Sequence, residues 1–342
     1  MPRDEPTHLL AGDIGATKSL LAIFSTGETG LAVIREERLE SARFADLAAL
    51  VNAFLAPGRS EDPDEIPGEI RAAAFGVAGA RIGKEHVPAN LPWRIDARRL
   101  ASEIGIPRVR LVNDFEAVGR GIPRLSPADL LTLQEGVPEP RGPIALIGAG
   151  TGLGEGFLVW GTDGYEVHAS EGGHADFAPR DAFEWGLLQR LSRRYAHVSY
   201  ERALSGPGLA EIYGHVVESG AAPPGAGIRS EMEAEDPAAV ITRHALSGTD
   251  EACGRALEIF LSIYGAEAGN LALKLLPTGG LYVAGGIAPR IGDRMAAGSF
   301  MESFRRKGRH RDLLERIPVR VILNPRVGLL GAAAIAEEEA GA

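Results

Sequence analysis

Two segments of the chain share one local pattern, in which an apolar run, a turn of small residues and a second apolar run follow one another. The first occupies residues 9–24 with its turn at 12–17, and the second occupies residues 144–160 with its turn at 148–154. Each pattern predicts a β-hairpin. Because the arrangement occurs both early and in the middle of the chain, it suggests an internal pseudo-repeat.

The remainder of the chain alternates between strand-like and helix-like stretches. Short apolar runs predict buried strands, and longer runs with helical spacing predict helices. The strands are 72–77, 110–112 and 281–284, and the helices are 43–55, 252–276 and a last one after Gly331. The Pro- and Gly-rich stretches 57–69 and 221–236 predict exposed loops. The alternation predicts an α/β fold, and 342 residues suffice for one large domain or two smaller ones.

The glycine-rich turns can bind phosphate, although neither of the two common nucleotide motifs is present. A Rossmann fingerprint that starts at Gly148 needs a glycine where Leu153 stands, and a P-loop that ends at Lys84 needs one where Ala78 stands. Backbone amides of a small-residue turn can still cradle phosphate. Two such turns in two related halves would clamp a triphosphate, and the alternative for each is a tight turn without a ligand.

Two further positions fit a nucleotide. Asp13 ends the first strand, where its carboxylate could hold Mg²⁺, usually through water, because this ion keeps several of its waters. Gly285 and Gly286 follow a buried strand and would let an adenine ring approach the backbone. The alternative for the glycine pair is a plain strand-to-helix turn.

Asp114 follows the strand 110–112 directly, preceded by Asn113. Ligands of open α/β sheets usually bind outside the carboxyl ends of the strands, which is where this carboxylate would project. Phosphoryl transfer needs a group that accepts the proton of the attacking hydroxyl, and Asp114 is suited to that role. The alternative is a helix N-cap, since Asn and Asp are both favoured there.

Residues 170–177 form an unusual string in which paired glycines disfavour a helix, so that a loop would hold Glu171 and His174. Glu171 would accept hydrogen bonds and His174 would donate or accept them, a combination that suits the binding of vicinal hydroxyls. A metal site of Glu171, His174 and Asp176 is the weaker interpretation, because it offers a single nitrogen ligand. A structural histidine is the other alternative.

The charge and the cysteine content limit the partners and the setting of the protein. With 46 acidic and 36 basic side chains the formal net charge is −10, so we expect neither nucleic acid nor an anionic membrane as a partner. Cys253 is the only cysteine, which excludes an intrachain disulfide and a cysteine-rich zinc site. The N-terminus does not resemble a signal peptide and no apolar run is long enough to span a membrane. We therefore expect a soluble, cytoplasmic protein.

These motifs, in this order, resemble the bacterial glucokinase family of the sugar kinase, heat-shock protein 70 and actin superfamily. The likeness runs over nearly the whole chain. The strings that carry it are the two glycine turns 12–17 and 148–154, the aspartate segment 111–115, the loop string 170–179, the segments 197–202 and 204–208, and the string 283–290. Ala16 stands where many members have glycine and Lys18 where some have Asn. The family resemblance favours the zinc-free glucokinase branch over the related ROK kinases, which often carry a cysteine-rich zinc site.

The resemblance implies a role for each matching residue. Glucose would contact Asn113, Asp114, Glu171, His174 and Glu201, with Asn90 as a further sugar contact. Asp114 would also deprotonate the 6-hydroxyl. The residues expected to bind ATP are Gly12, Asp13, Ile14, Gly15, Ala16 and Thr17, then Gly150, Thr151 and Gly152, and finally Gly285 and Gly286. Asp13 would hold Mg²⁺ through water.

The resemblance also implies the architecture, which is a two-domain actin-like ATPase (ribonuclease H-like) fold with an interdomain cleft. The expected domains are a small α/β domain of 5–124 plus 325–342 and a large α/β domain of 125–324. A homodimer is implied as well. Three alternatives remain at this point: a kinase for another hexose such as mannose or fructose, a non-catalytic sugar-binding protein, and an actin-like ATPase. Sugar-responsive repressors of this fold carry an N-terminal helix-turn-helix domain, and with a first strand near Leu9 we do not expect this chain to be such a repressor. Whether the phosphoryl donor is ATP, ADP or polyphosphate also stays open.

Overall fold

The computed structural model describes residues 7–27, 30–56, 68–82, 85–88, 91–162 and 164–341. The strands are β1 His8–Ile14, β2 Lys18–Gly27, β3 Gly30–Glu40, β4 Ile70–Val77, β5 Gly79–Ile82, β6 Glu85–Pro88, β7 Ile95–Asp96, β8 Arg108–Asn113, β9 Leu130–Gln134, β10 Ile144–Ala149, β11 Leu153–Trp160, β12 Tyr165–Ser170, β13 Gly280–Ala284 and β14 Val319–Ile322. The helices are α1 Leu47–Leu55, α2 Ala97–Ile104, α3 Asp114–Gly121, α4 Ala182–Ser192, α5 Gly206–Glu218, α6 Ile228–Ala234, α7 Pro237–Ser247, α8 Glu251–Leu275, α9 Ala288–Ala297, α10 Ser299–Arg305, α11 Arg311–Arg316 and α12 Val327–Gly341.

The chain divides into two compact units. Unit 1 comprises residues 1–126 together with 324–342, and unit 2 comprises residues 127–323. That each unit is an independent domain with the expected bounds stays a prediction. None of the described helices combines the length and the apolar character that crossing a membrane requires.

Unit 1 is built on a five-stranded sheet in the order β3-β2-β1-β4-β8. The pairs β1/β2 and β2/β3 are antiparallel, whereas β1/β4 and β4/β8 are parallel. Successive side chains of a strand point to opposite faces. Leu10 therefore packs in a cluster with residues of α1 and α2, while its neighbour Leu9 packs in a second cluster with residues of α12. The sheet is covered on both faces.

Unit 2 contains a six-stranded sheet in the order β12-β11-β10-β13-β14-β9. Its first five strands repeat the pairing of unit 1, with antiparallel β10/β11 and β11/β12 followed by parallel β10/β13 and β13/β14. The added strand β9 pairs antiparallel with β14. Helix α8 is buried along most of its length in the main core of this unit. The shared strand order confirms the internal repeat that the two hairpin patterns suggested.

Some of the predicted boundaries were wrong. The helix expected over 43–55 starts at Leu47, because Asp46 caps it by accepting a hydrogen bond from the Ala49 N–H at 2.8 Å. The stretch 221–236 is not loop throughout, since it contains α6. The last helix begins at Val327, before Gly331. In the stretch expected to be a loop at 57–69, residues 57–67 lie outside the described part of the chain.

Candidate active site

The first glycine turn joins β1 to β2 in unit 1. Ser41 holds it from behind: its hydroxyl donates to the Gly15 carbonyl at 2.7 Å and its N–H donates to the Thr17 carbonyl at 3.1 Å. A Cβ at Gly15 would lie 2.8 Å from the Lys18 carbonyl oxygen, so the turn needs a glycine there. The turn is thus held through its carbonyl oxygens, which are the half of the peptide group that phosphate binding does not use.

Two carboxylates stand at the carboxyl ends of two parallel strands in unit 1, β1 and β8, which are separated by β4. Asp13 is opposite Gly76 in the β1/β4 pair, and Asn113 is opposite Val77 in the β4/β8 pair, which sets Asp114 one residue beyond that edge. Burial, and then the negative charge of Asp114, raise the pKa of Asp13 to about 6, although Arg38 acts in the opposite direction. The side chain of Asp13 also faces the start of α12, where a Cβ at Gly328 would be 3.3 Å from its Oδ2.

Asp114 is the first residue of α3, and Asn113 is its N-cap. The Asn113 Oδ1 accepts from the N–H of Phe115 at 2.8 Å, and the Asp114 Oδ1 accepts from the same N–H at 2.9 Å. The capping alternative is therefore correct for Asn113. Asp114 lies in the first helical turn, where the helix dipole favours negative charge. A Cβ at Gly76 would lie only 2.8 Å from the Cβ of Ala117, so the glycine lets α3 start close against β4.

In unit 2 three of the expected sugar contacts come together. His174 Nε2 lies 3.8 Å from Glu171 Oε2, and His174 Nδ1 lies 3.9 Å from Glu201 Oε1. Glu201 is the least exposed of the three and also accepts the Leu153 N–H with its Oε2 at 3.0 Å. Residues Gly172–His174 form a short 3₁₀ helix instead of the loop that was expected. The cluster offers two carboxylate acceptors around one imidazole, which suits neighbouring hydroxyls.

The two segments that carry this cluster are tied to each other through the backbone. The N–H of Phe177 donates to the Val198 carbonyl at 3.0 Å, and the N–H of Tyr200 donates to the Ala175 carbonyl at 3.0 Å. Gly173 sits against Leu153, whose carbonyl oxygen a Cβ would overlap. These contacts fix the position of His174 relative to Glu201.

The second glycine turn and the glycine pair also meet in unit 2, at the ends of β10 and β13. The Gly150 N–H donates to the Gly152 carbonyl at 2.8 Å. Gly285 has φ of +86°, and a Cβ there would overlap the carbonyl oxygen of Ala149, so the close approach requires glycine. Thr151, Gly285 and Gly286 are exposed. A ligand could reach all of them.

Two of the sequence expectations have a different outcome. Asn90 lies outside the described residues, so its role stays a prediction. Asp176, considered as a metal ligand with Glu171 and His174, instead contacts His197 Nε2 at 2.8 Å. Among the described residues no cluster of three or more His, Cys, Asp or Glu side chains is arranged to hold a metal ion.

Sequence reasoning missed two buried glutamates beneath this cluster, Glu155 in β11 and Glu267 in α8. The available signal was the presence of one acidic residue inside each of two otherwise uncharged, mostly apolar stretches, 153–160 and 259–273.

Comparison with known proteins identifies the family of the chain. The family model for glucokinase matches residues 10–339. A glucokinase from Nostoc punctiforme is 46% identical over 96% of this chain and 98% of its own length, and one from Yersinia pestis is 35% identical over 98% of both. The chain belongs to the glucokinase family.

Solved structures extend the family assignment to the fold. The crystal structure of a glucokinase from an Antarctic psychrotroph has a TM-score of 0.81 and 28% identity, covering 97% of this chain and 99% of that one. A ROK family glucokinase from Streptomyces griseus, solved with glucose and AMPPNP, has a TM-score of 0.66 at 20% identity, over 98% and 100% of the two chains, and supports the fold alone. The predicted actin-like two-domain fold is confirmed, and this glucokinase-family chain is a phosphotransferase of the ATP-dependent sugar kinase class.

Proposed function

We propose that this chain transfers the γ-phosphate of MgATP to the 6-hydroxyl of D-glucose, with Asp114 as the general base, giving glucose 6-phosphate and ADP. The observation that carries the proposal is the pair of carboxylates Asp13 and Asp114 at the carboxyl ends of β1 and β8. One carboxylate can accept the proton of the attacking hydroxyl while the other serves the metal–nucleotide side.

Glucose would be recognised by its hydroxyls. Glu171 and Glu201 would accept hydrogen bonds from them, and His174, between the two, would donate or accept. Asn113, Asp114 and Asn90 would complete the set of sugar contacts. This part of the proposal is supported by the distances within the unit 2 cluster and by the glucokinase relatives.

ATP would be bound through backbone amides and small side chains. Residues 12–17 would contact phosphates in unit 1, and Gly150, Thr151 and Gly152 would do so in unit 2. Gly285 and Gly286 would let the adenosine approach the backbone. The support is that a side chain is excluded at Gly285 by the carbonyl of Ala149.

The residues present fit a magnesium ion. Asp13 is a buried carboxylate beside a second carboxylate, and burial and the charge of Asp114 both raise its pKa. Carboxylate oxygen is the ligand that Mg²⁺ prefers. Asp13 would hold the ion through water, with the phosphates as the other ligands. When bound, the ion neutralises charge on the transferring phosphoryl group.

In the reaction, the side chains of this protein mainly position the two substrates, and one of them accepts a proton from the sugar. Glu171, His174 and Glu201 would orient the sugar through its hydroxyls. The Asp114 carboxylate accepts the hydroxyl proton as the oxygen attacks the γ-phosphorus, and the amides of the glycine turns stabilise charge on the phosphate oxygens.

The test is glucose-dependent ADP release by wild type and Asp114→Asn. We expect kcat to fall by at least about 10²–10⁴-fold, the usual contribution of a general base. Asp96→Asn is the matched control, because Asp96 caps α2 in the same unit and asparagine also caps well. Near-normal turnover by Asp114→Asn would remove Asp114 as the base.

A hexose panel in the same assay distinguishes the remaining candidates. A strong preference for mannose or fructose would keep the mechanism and replace the substrate. ATP hydrolysis that ignores sugar would indicate an actin-like ATPase, and binding of sugar without turnover with any donor would indicate a sugar-binding protein.

We also propose that the protein acts as a homodimer in the cytoplasm. The support is its family membership, and sedimentation equilibrium should give a mass of twice 36.1 kDa.

A further inference from the structure

Two glutamates of unit 2 are buried with an incomplete set of hydrogen-bond donors. Glu155 is 2% exposed and Glu267 is 0% exposed. Within the described part of the chain, the Oε1 atom of each accepts no hydrogen bond. A buried carboxylate oxygen in this situation is costly unless a donor reaches it.

Glu155 lies directly beneath the 3₁₀ turn that carries two of the proposed sugar contacts. Its Oε2 occupies the space that a side chain at Gly172 would need. Its backbone carbonyl accepts from the Ser170 hydroxyl at 3.3 Å, and the same hydroxyl accepts from the Gly172 N–H at 3.1 Å. Any displacement of the Glu155 side chain is therefore transmitted to the turn at Gly172–His174.

Glu267 supports the third sugar contact from the other side. Its Oε2 accepts from the Asn270 amide at 2.8 Å, and its charge acts on Tyr200, the residue directly before Glu201. The Asn270 amide also donates to the Tyr200 hydroxyl at 3.1 Å. Glu155 and Glu267 thus stand behind the two segments that the sugar would bridge.

Two lysines lie near the glutamate pair, but neither donates a close hydrogen bond to the unpaired oxygens. Lys274 Nζ is 3.8 Å from Glu267 Oε1, and Lys307 Nζ is directed to the Ala266 carbonyl at 2.8 Å and to Asn270. The titratable and charged groups that interact with this pair or its partners are Tyr200, Tyr264, Lys274, Lys307 and Arg180.

We propose that Glu155 and Glu267 share one proton at neutral pH, and that this proton makes Glu155 a positioning residue for glucose binding. The inference rests on the proposed function, because it concerns the sugar contacts named there. A proton on either carboxyl turns an acceptor without a donor into a donor, and it removes the repulsion between two buried negative charges.

The electrostatics of the pair agree with the geometry. Burial, and then the charge of Glu267, raise the pKa of Glu155 to about 7, with Lys274 opposing. Burial also raises the pKa of Glu267. When the shared proton is lost, the ionised pair must draw in water or move apart, and the turn above Glu155 moves with it. Glucose should then bind less tightly.

The experiment is calorimetric titration of the full chain with glucose, without nucleotide, in buffers of different ionisation enthalpy. We expect proton uptake that approaches one per glucose at about pH 8, and a dissociation constant that rises at least about fivefold from pH 6.5 to 8.5. In Glu155→Gln, whose amide cannot ionise, both effects should disappear while affinity at pH 6.5 is retained.

Glu166→Gln is the matched control, since Glu166 is an exposed glutamate in a strand of the same sheet and should behave as wild type. If Glu155→Gln does not fold, Glu267→Gln removes the same shared proton and should abolish the uptake. Tight glucose binding that is independent of pH in the wild type, or uptake that persists in the variant, would overturn this inference alone. Absence of glucose binding at every pH would overturn the proposed function as well.

Discussion

Glu201 combines two interactions that a single substitution can separate. Its Oε2 accepts the Leu153 N–H at the second glycine turn, while its Oε1 faces His174. The side chain is therefore both part of the fold of unit 2 and a proposed sugar contact. Its structural contact could not be predicted from sequence, because Leu153 and Glu201 are 48 positions apart.

We expect Glu201→Ala to raise KM for glucose by about 10- to 100-fold, because it removes a proposed sugar contact. It should also lower the free energy of unfolding by about 1–3 kcal/mol, because it leaves the Leu153 N–H without its acceptor. Glu201→Gln can keep that acceptor and should lose less stability while KM still rises. Steady-state kinetics and urea denaturation measure the two effects. The exposed Glu302→Ala is the control, and an unchanged KM in Glu201→Ala would contradict its sugar role.

Asn113 and Asp114 have different roles at the start of α3, although the sequence pattern treats them alike. The sequence indicated both a cap and a base at this strand end, and the structure assigns the cap to Asn113. The base stays a proposal for Asp114. The pattern could not separate the two neighbours, because capping depends on which residue leaves the strand conformation, and that is decided by how α3 packs on β4.

At the scale of elements, the two glycines after β13 make different structural demands. Gly285 has φ of +86° and lies against the Ala149 carbonyl, whereas a Cβ at Gly286 would meet nothing within 4 Å. The junction between β13 and α9 therefore depends on the first glycine for its geometry. The sequence offered both residues as equal candidates for an adenosine contact.

We expect Gly285→Ala to destabilise the protein by at least about 2 kcal/mol, since a left-handed backbone is strained for alanine and its Cβ would displace β10. Gly286→Ala should stay within about 0.5 kcal/mol of wild type, as surface substitutions usually do. Chemical denaturation of the pair measures the difference. Equal losses in the two variants would show that the contact with Ala149 does not require glycine.

The elements that were predicted well are those with strong local signals. Both hairpins and α8 follow from alternation, turn residues and a long apolar run. Helix α6 was missed because Pro, Gly and Ala around it resemble loop composition. It forms because Ile228 is buried in the core of unit 2, so packing outweighed local propensity.

For the whole molecule, the buried glutamate pair makes stability depend on pH. In the folded chain the pKa of Glu155 is raised from 4.5 to about 7. Between these values the native state holds a proton that the unfolded chain has lost, so the contribution of Glu155 to stability is fully present below pH 4.5 and is lost as the pH rises toward 7. The difference corresponds to a loss on the order of 3 kcal/mol, because one pKa unit is about 1.4 kcal/mol.

We expect Glu155→Gln to lack this decline, so that its stability relative to wild type increases by about 2–3 kcal/mol between pH 5 and 8. Lys307, whose pKa is lowered to about 8 by burial, contributes the opposite slope at higher pH, so the comparison ends there. Urea denaturation at a series of pH values measures the two curves. Parallel curves would mean that Glu155 is ionised in the native state throughout this range.

The sequence by itself determined the α/β class, the duplicated hairpins and the family, because strand alternation, turn chemistry and ordered motifs are short-range properties that each segment carries alone. Only the tertiary structure decided that Glu201 reaches the Leu153 N–H, that Gly285 must approach Ala149, and that Glu155 and Glu267 are buried behind the proposed sugar contacts. The physical reason is that burial, hydrogen-bond completion and pKa depend on neighbours from distant parts of the chain, which packing alone brings together.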